Sequence, residues 1–141
     1  MRVMVLVKAN EESESGEMPD LQSLEEMGSY NEELAKAGIM LEADGLYPSS
    51  KGKRVRFHGD NTSVIDGPFP ETTDLIAGYW IWQVESMAEA VNWLRKAPFR
   101  AGAEVEIRPV ADLENMGVEI TPEMRARQDR VAEQTRKNKA A

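Results

Sequence analysis

The sequence contains no cysteine, which excludes disulfides, thiolate metal sites and cysteine nucleophiles. His58 is its only histidine, so no imidazole cluster can hold zinc, and no glycine-rich loop is spaced to cradle a phosphate. Nucleotide, zinc and haem chemistry are therefore disfavoured, and neither a cofactor nor a bound metal is expected. Basic residues are scarce, 17 against 25 acidic ones for a net charge of −8, so nucleic acid is not an expected partner. Long apolar runs are also missing. Nothing approaches the ~20 residues that span a bilayer, and residues 1–7 lead at once into Lys8 and acidic side chains rather than a signal-peptide core. No membrane is expected, and the expected location is the cytoplasm. Aromatic residues make up only 6%, so their concentration at Tyr79, Trp80 and Trp82 calls for an explanation.

What is present reads as an ordinary globular domain with an appendage: 141 residues, 41% hydrophobic and 30% charged, enough to bury a core. The stretch Asp66-Gly67-Pro68-Phe69 stands between two β-rich segments. Gly67 admits unusual backbone angles while Pro68 and Pro70 remove freedom, which predicts a rigid corner with Phe69 turned inward.

Residues 2–8 alternate Val3, Val5 and Val7 with Met4 and Leu6, as in a central strand that is apolar on both faces. Residues 10–18 are small and acidic and read as a loop, with no ligand spacing for a cation. Residues 19–37 carry Leu21, Leu24, Met27, Tyr30 or Asn31, and Leu34 at helical spacing, with Gly38 as the stop and Gly28 as a weak point or a close approach. Residues 39–43 begin a second strand, and residues 53–58 and 62–65 form a hairpin around Gly59-Asp60-Asn61.

In residues 75–84, Ile76, Gly78, Trp80, Trp82 and Val84 share one face and Ala77, Tyr79, Ile81 and Gln83 the other. The tryptophans need a deep surface, either the core under the helices or a seam between subunits. Ser86 and Glu89 open a helix as a capping box, Pro98 ends it, and residues 104–110 supply a last strand. This order predicts an α+β fold, a ferredoxin-like antiparallel sheet with helices on one face. Met4, Leu6, Tyr79, Ile81 and the tryptophan set exceed what one helical layer covers, which predicts a homodimer formed through the bare face. Residues 1–111 form this domain and residues 112–141 a C-terminal extension whose helix starts at Thr121-Pro122-Glu123 and runs to about 136. Its stripe is thin, Met124 and Val131 among arginines, and it is expected to dock on the partner subunit.

Candidate catalytic groups are few. His58 is the one near-neutral base and stands eight residues before Asp66, a workable orienter; a surface histidine at a strand end is the plainer alternative. Asp66 and Glu71 flank the hinge as a carboxylate pair or as turn caps. Glu42 projects from a sheet face, and Tyr47, Tyr79, Trp80 and Trp82 are candidates to line a pocket for a small planar molecule, against the plainer role of packing.

The string Asp66-Gly67-Pro68-Phe69 with Glu71-Thr72 and Gly78-Tyr79-Trp80 resembles the DGPF branch of the YCII-related proteins. So do Gly45-Leu46-Tyr47-Pro48, Arg54-Val55-Arg56-Phe57, Asn31-Glu32-Glu33-Leu34 before Ala37-Gly38, and Val105-Glu106-Ile107-Arg108. The resemblance spans residues 1 to about 136, and it implies a dimeric α+β barrel, two ferredoxin-like sheets facing each other around a cleft. Members are mostly uncharacterised, and a relative in the wider superfamily is a dehalogenating lyase that uses a histidine and an aspartate. Tyr47 stands where the family commonly has a histidine, so an imidazole base at that position is absent here. Two readings result: a small molecule bound or transformed in the cleft of the homodimer with lyase-like chemistry, or a non-catalytic dimeric regulatory or protein-binding module that uses the tail as its contact surface.

Overall fold

The computed structural model describes the backbone of residues 1–141 and every side chain except those of Thr73 and Glu114. It divides into two compact units, Met1–Val110 and Ala111–Ala141. In the first, the strands β1 (Arg2–Lys8), β2 (Met40–Gly45), β5 (Ile76–Gln83) and β6 (Val105–Pro109) form one antiparallel sheet in the order β2-β5-β1-β6. The hairpin β3 (Lys53–His58) and β4 (Asn61–Asp66) is a separate two-stranded sheet inserted between β2 and β5. The helices α2 (Leu21–Lys36) and α3 (Met87–Leu94) complete the ferredoxin-like α+β arrangement expected from the sequence.

Alternation decides which side of the sheet is buried. Val3 pairs with Trp82, and Trp82 with Met40; Val5 pairs with Trp80, and Trp80 with Ala43. These rows join Tyr30 and Leu34 of α2 and Ala90 of α3 in the core. Both tryptophans therefore lie under the helices rather than at a seam between subunits, and they add nothing to the opposite face. That face carries Met4, Leu6, Tyr79 and Ile81, all half-buried, and is the side turned away from Tyr30, Leu34 and Ala90 of the helices. Trp82 is fully buried, and its indole N–H is the one buried side-chain polar atom without a partner among the described residues, a cost of about 1–3 kcal/mol set against the packing of the ring.

The helices are tied down by polar contacts at their ends and faces. Asp20 accepts from the Ser23 amide and caps α2, and this bond, more than the nearby Arg100, holds its carboxyl below the usual aspartate range. The Tyr30 hydroxyl donates to the Trp93 carbonyl at 2.6 Å, which fixes α2 against α3. Burial, followed by the Glu33 charge, pushes the Tyr30 phenol up to about 12. Ser86 caps α3 by accepting from the Glu89 amide, but the Glu89 carboxylate reaches the amide of Glu85 rather than that of Ser86, so only half of the capping box forms. The stripe of α2 fades at its start, where Leu21 and Leu24 are exposed. Residues 11–14, expected in a loop, form a single helical turn, α1 (Glu11–Glu14), because Asn10 and Ser13 cap each other's amides.

The Asp66-Gly67-Pro68-Phe69 corner is seated on a 3-10 turn at Ser49–Lys51. Glu14 accepts from the Ser49 amide at 3.1 Å and from its hydroxyl at 2.5 Å. Ser49 Oγ accepts from the Phe69 amide at 3.0 Å, and the Gly52 carbonyl accepts from the Gly67 amide at 3.0 Å. A Cβ on Gly67 would overlap the Ser49 carbonyl, so this glycine is required by close backbone approach. Phe69 is half-buried beneath the Arg54 guanidinium, 3.9 Å from its ring centre.

In the second unit, α4 (Pro122–Ala140) starts at Thr121, whose hydroxyl accepts from the Met124 amide, and runs four residues beyond the expected end near 136. No residue of α4 is buried; Met124 and Val131 are exposed. Among the described residues, no helix is long and apolar enough to cross a membrane.

Two glycines give opposite expectations. Gly67→Ala should cost about 3 kcal/mol, the upper end of overpacking penalties, because the Ser49 carbonyl occupies the Cβ position. Gly28→Ala should stabilise by about 1 kcal/mol, since nothing lies within 4 Å of an added Cβ in α2. Urea denaturation of both variants beside the parent checks this; equal midpoints for the pair would show that the corner shifts aside.

Candidate functional site

On the helix-facing side, the sheet rows lose volume towards one end. Met40, Trp82 and Val3 fill the first row and Ala43, Trp80 and Val5 the second, but the third is Gly45, Gly78 and Val7. Two of its three positions have no side chain. Against this row, Met27 and Asn31 of α2 and Phe99 of the segment after α3 leave a cleft of about 360 Å³, within the range of small-molecule sites. Gly78 also lets β2 come close, since a Cβ there would stand 3.1 Å from the Asp44 carbonyl. Asp44 and Tyr79 border the same cleft, which reaches the free edge of the sheet because β2 is its outermost strand.

The walls of the cleft are held rigidly. Trp80 is 4% exposed and donates its indole N–H to Asn31 Oδ1 at 2.9 Å. Its ring meets those of Tyr30 and Phe99 edge to face, each at 6.1 Å between centres, and that of Trp82 at 5.7 Å.

A polar cluster stands on the open face of the sheet beside the cleft. Glu42 and Asp44 are exposed on β2, and the Tyr79 hydroxyl donates to Glu42 Oε1 at 3.2 Å and to Asp44 Oδ2 at 3.4 Å. Partial burial first, and then the two carboxylates, push the Tyr79 phenol upward, because its ionised form would lose these bonds and face two negative charges.

The remaining candidates lie apart from this region. His58 pairs with Asn61 at the tip of the hairpin while Asp66 pairs with Lys53 at its base. Five residues of strand separate them, about 17 Å at the usual strand rise, so within one chain the imidazole and the carboxylate do not meet. His58 Nε2 is instead 3.0 Å from Ser63 Oγ. Asp66 forms an exposed ion pair with Lys53 at 2.5 Å, and Glu71 stands 3.5 Å from Arg54 Nη1 and makes no side-chain cap of the turn that follows it. Tyr47 is 79% exposed, with Lys51 Nζ 4.2 Å from its ring centre. Of the expected pocket residues, Tyr79 and Trp80 border the cleft and Glu42 joins them through the tyrosine; Trp82 is core.

Asn31, Asp44, Gly45, Gly78 and Phe99 were not singled out for this site from the sequence. A signal existed for two of them: Asp44 is two residues from Glu42 on a strand of known phase, and Gly78 interrupts the larger side chains on the tryptophan face.

Residues 1–114 match the family model described as the YCII-related domain. An uncharacterised protein of Rhizobium meliloti (strain 1021) is 24% identical over 94 residues, covering 65% of this chain and 76% of that protein.

The tyrosine cluster has a testable signature. The folded-state pKa of Tyr79 is raised, so its contribution to stability is full below the pKa of an unfolded phenol, about 10, and is lost as pH rises through the folded value. Replacing both carboxylates, Glu42→Gln with Asp44→Asn, should move the Tyr79 titration downward while burial keeps part of the elevation. NMR of ring-labelled tyrosine measures this, and an unmoved midpoint would mean that the carboxylates do not sense the phenol.

Proposed function

Since the chain belongs to the YCII-related family, we propose that it is a homodimeric protein that binds a small, largely apolar molecule in the glycine-lined cleft of each subunit. The observation that carries this reading is the third sheet row, where Gly45 and Gly78 leave about 360 Å³ between the sheet and α2 while Trp80, Asn31 and Phe99 hold the walls in place. A largely apolar cleft with few, fixed polar groups suits binding and orientation. Binding is favoured over lyase-like turnover because the proton donor and acceptors beside the cleft, Tyr79 with Glu42 and Asp44, stand on the open face of the sheet and are already paired with one another. His58, Asp66 and Glu71 lie on or beside the hairpin, each with a polar neighbour of its own.

The open face of the sheet supports the dimer. Met4, Leu6 and Ile81 form an apolar centre with Tyr79, and Glu42, Asp44, Glu106 and Arg108 lie around it. A second copy covering this face would remove the apolar area from water and enclose the Tyr79 cluster beside the cleft.

Gly45→Val tests the cleft. Nothing lies within 4 Å of an added Cβ at Gly45, so the variant should fold with an unchanged Tm while its side chain fills the space. A panel of small aromatic and alicyclic compounds is read by thermal shift. A ligand at a hundredfold excess over its Kd stabilises by about 2.7 kcal/mol, and the valine should abolish that shift. A panel that leaves the parent unmoved, or that moves both proteins alike, removes the reading.

For the dimer, sedimentation at micromolar concentration should give twice the chain mass, and Leu6→Asp with Ile81→Asp should halve it. A parent that sediments as a single chain would sink this part of the proposal.

A further inference from the structure

We infer that Asn31 orients the ligand, and that the ligand is an uncharged molecule presenting a carbonyl-type hydrogen-bond acceptor to the Asn31 amide nitrogen. The inference rests on the cleft being a ligand site and adds which chemistry it selects.

The orientation of the Asn31 amide is set by its partner. An indole N–H can only donate, so the atom 2.9 Å from Trp80 Nε1 must be the amide oxygen Oδ1. Trp80 is itself held by Tyr30 on one side and Phe99 on the other, both edge to face, which leaves the amide little freedom to turn over. Its nitrogen, with two N–H donors, therefore points away from the indole. Among the described residues Asn31 Nδ2 donates no hydrogen bond and it is not sealed from water, Trp82 Nε1 being the one fully buried polar side-chain atom without a partner; Asn31 is half-buried and lies on the cleft wall. Partly desolvated donors without an acceptor favour a ligand that supplies one.

Charge then narrows the acceptor. Among the described residues the cleft lining contains no lysine, arginine or histidine, and Asp44, which borders it from β2, holds its carboxylate at the Tyr79 hydroxyl on the open face of the sheet. Glu42 adds a second negative charge within reach of the same tyrosine, and the whole chain carries −8. A carboxylate ligand would have to be desolvated in a negative field with no cation to meet it. An ammonium would face amide donors, not acceptors, at Asn31, while Asp44 Oδ2 already stands 3.4 Å from the Tyr79 hydroxyl. A neutral carbonyl compound accepts from Asn31 and buries its apolar body against Met27, Val7 and Phe99.

Three probes of similar shape separate these cases in an NMR titration of the full chain at neutral pH. They are acetophenone with a neutral acceptor, ethylbenzene with none, and benzoate with an anionic one. Acetophenone should bind about tenfold tighter than ethylbenzene, the worth of one hydrogen bond to an otherwise unpaired donor, and tighter than benzoate. Asn31→Asp keeps an oxygen for the Trp80 indole and removes the donors, so in that variant acetophenone should bind no tighter than ethylbenzene. An undisturbed Trp80 indole resonance would show that the wall is intact.

If the parent protein binds acetophenone and ethylbenzene equally, prefers benzoate, or keeps its preference in Asn31→Asp, the inference fails while the cleft remains a binding site. If no probe enters the parent, the cleft reading falls and the inference with it.

Discussion

The bond from Trp80 Nε1 to Asn31 Oδ1 is the contact on which the arrangement of the first unit turns. It joins the middle of β5 to the middle of α2, satisfies a buried indole donor, and sets the orientation of the amide at the edge of the cleft. Around it, Tyr30 and Phe99 pack against the Trp80 ring, and Tyr30 continues to the Trp93 carbonyl of α3. Two donors and two ring contacts thus hold both helices at a fixed height over the sheet. The two glycines of the neighbouring row then leave space rather than letting the layers collapse.

The hinge motif has a clear structural role. Asp66, Gly67, Pro68 and Phe69 form a corner seated on the Ser49–Lys51 turn. Gly67 is there because the Ser49 carbonyl stands where a side chain would be, and Ser49 is itself held by Glu14. The carboxylate of Asp66 is spent on Lys53 across the hairpin, an exposed pair worth at most about 1 kcal/mol. The motif anchors the base of the hairpin to the segment that follows β2.

Much of the fold was legible because its signals are local. The alternation of Val3, Val5 and Val7 with Met4 and Leu6, the capping residues Ser86 and Thr121, and the turn at Gly59 each act within a few residues of themselves. The site was less legible. His58 and Asp66 look like neighbours at eight residues apart, yet the Gly59 turn, with φ at +57°, sets a register that sends them to opposite ends of the hairpin. That register was readable from the turn. Asn31 was not: its stripe position allows either it or Tyr30 to face inward, and only the position of Trp80 across the layer shows that both do, one into the core and one onto the cleft.

The sequence by itself determined the strands, the helices and their order, because periodicity of two or of 3.6 residues and the chemistry of caps and turns are properties of short segments. It also ruled out thiol and histidine-cluster chemistry, because the residues are missing. Only the tertiary structure decided that the tryptophans belong to the core, that His58 and Asp66 stand apart, and that Gly45 and Gly78 face the same gap under α2. Those facts depend on which residues from distant segments stand opposite one another across strand pairs and layers, and no local pattern encodes that pairing.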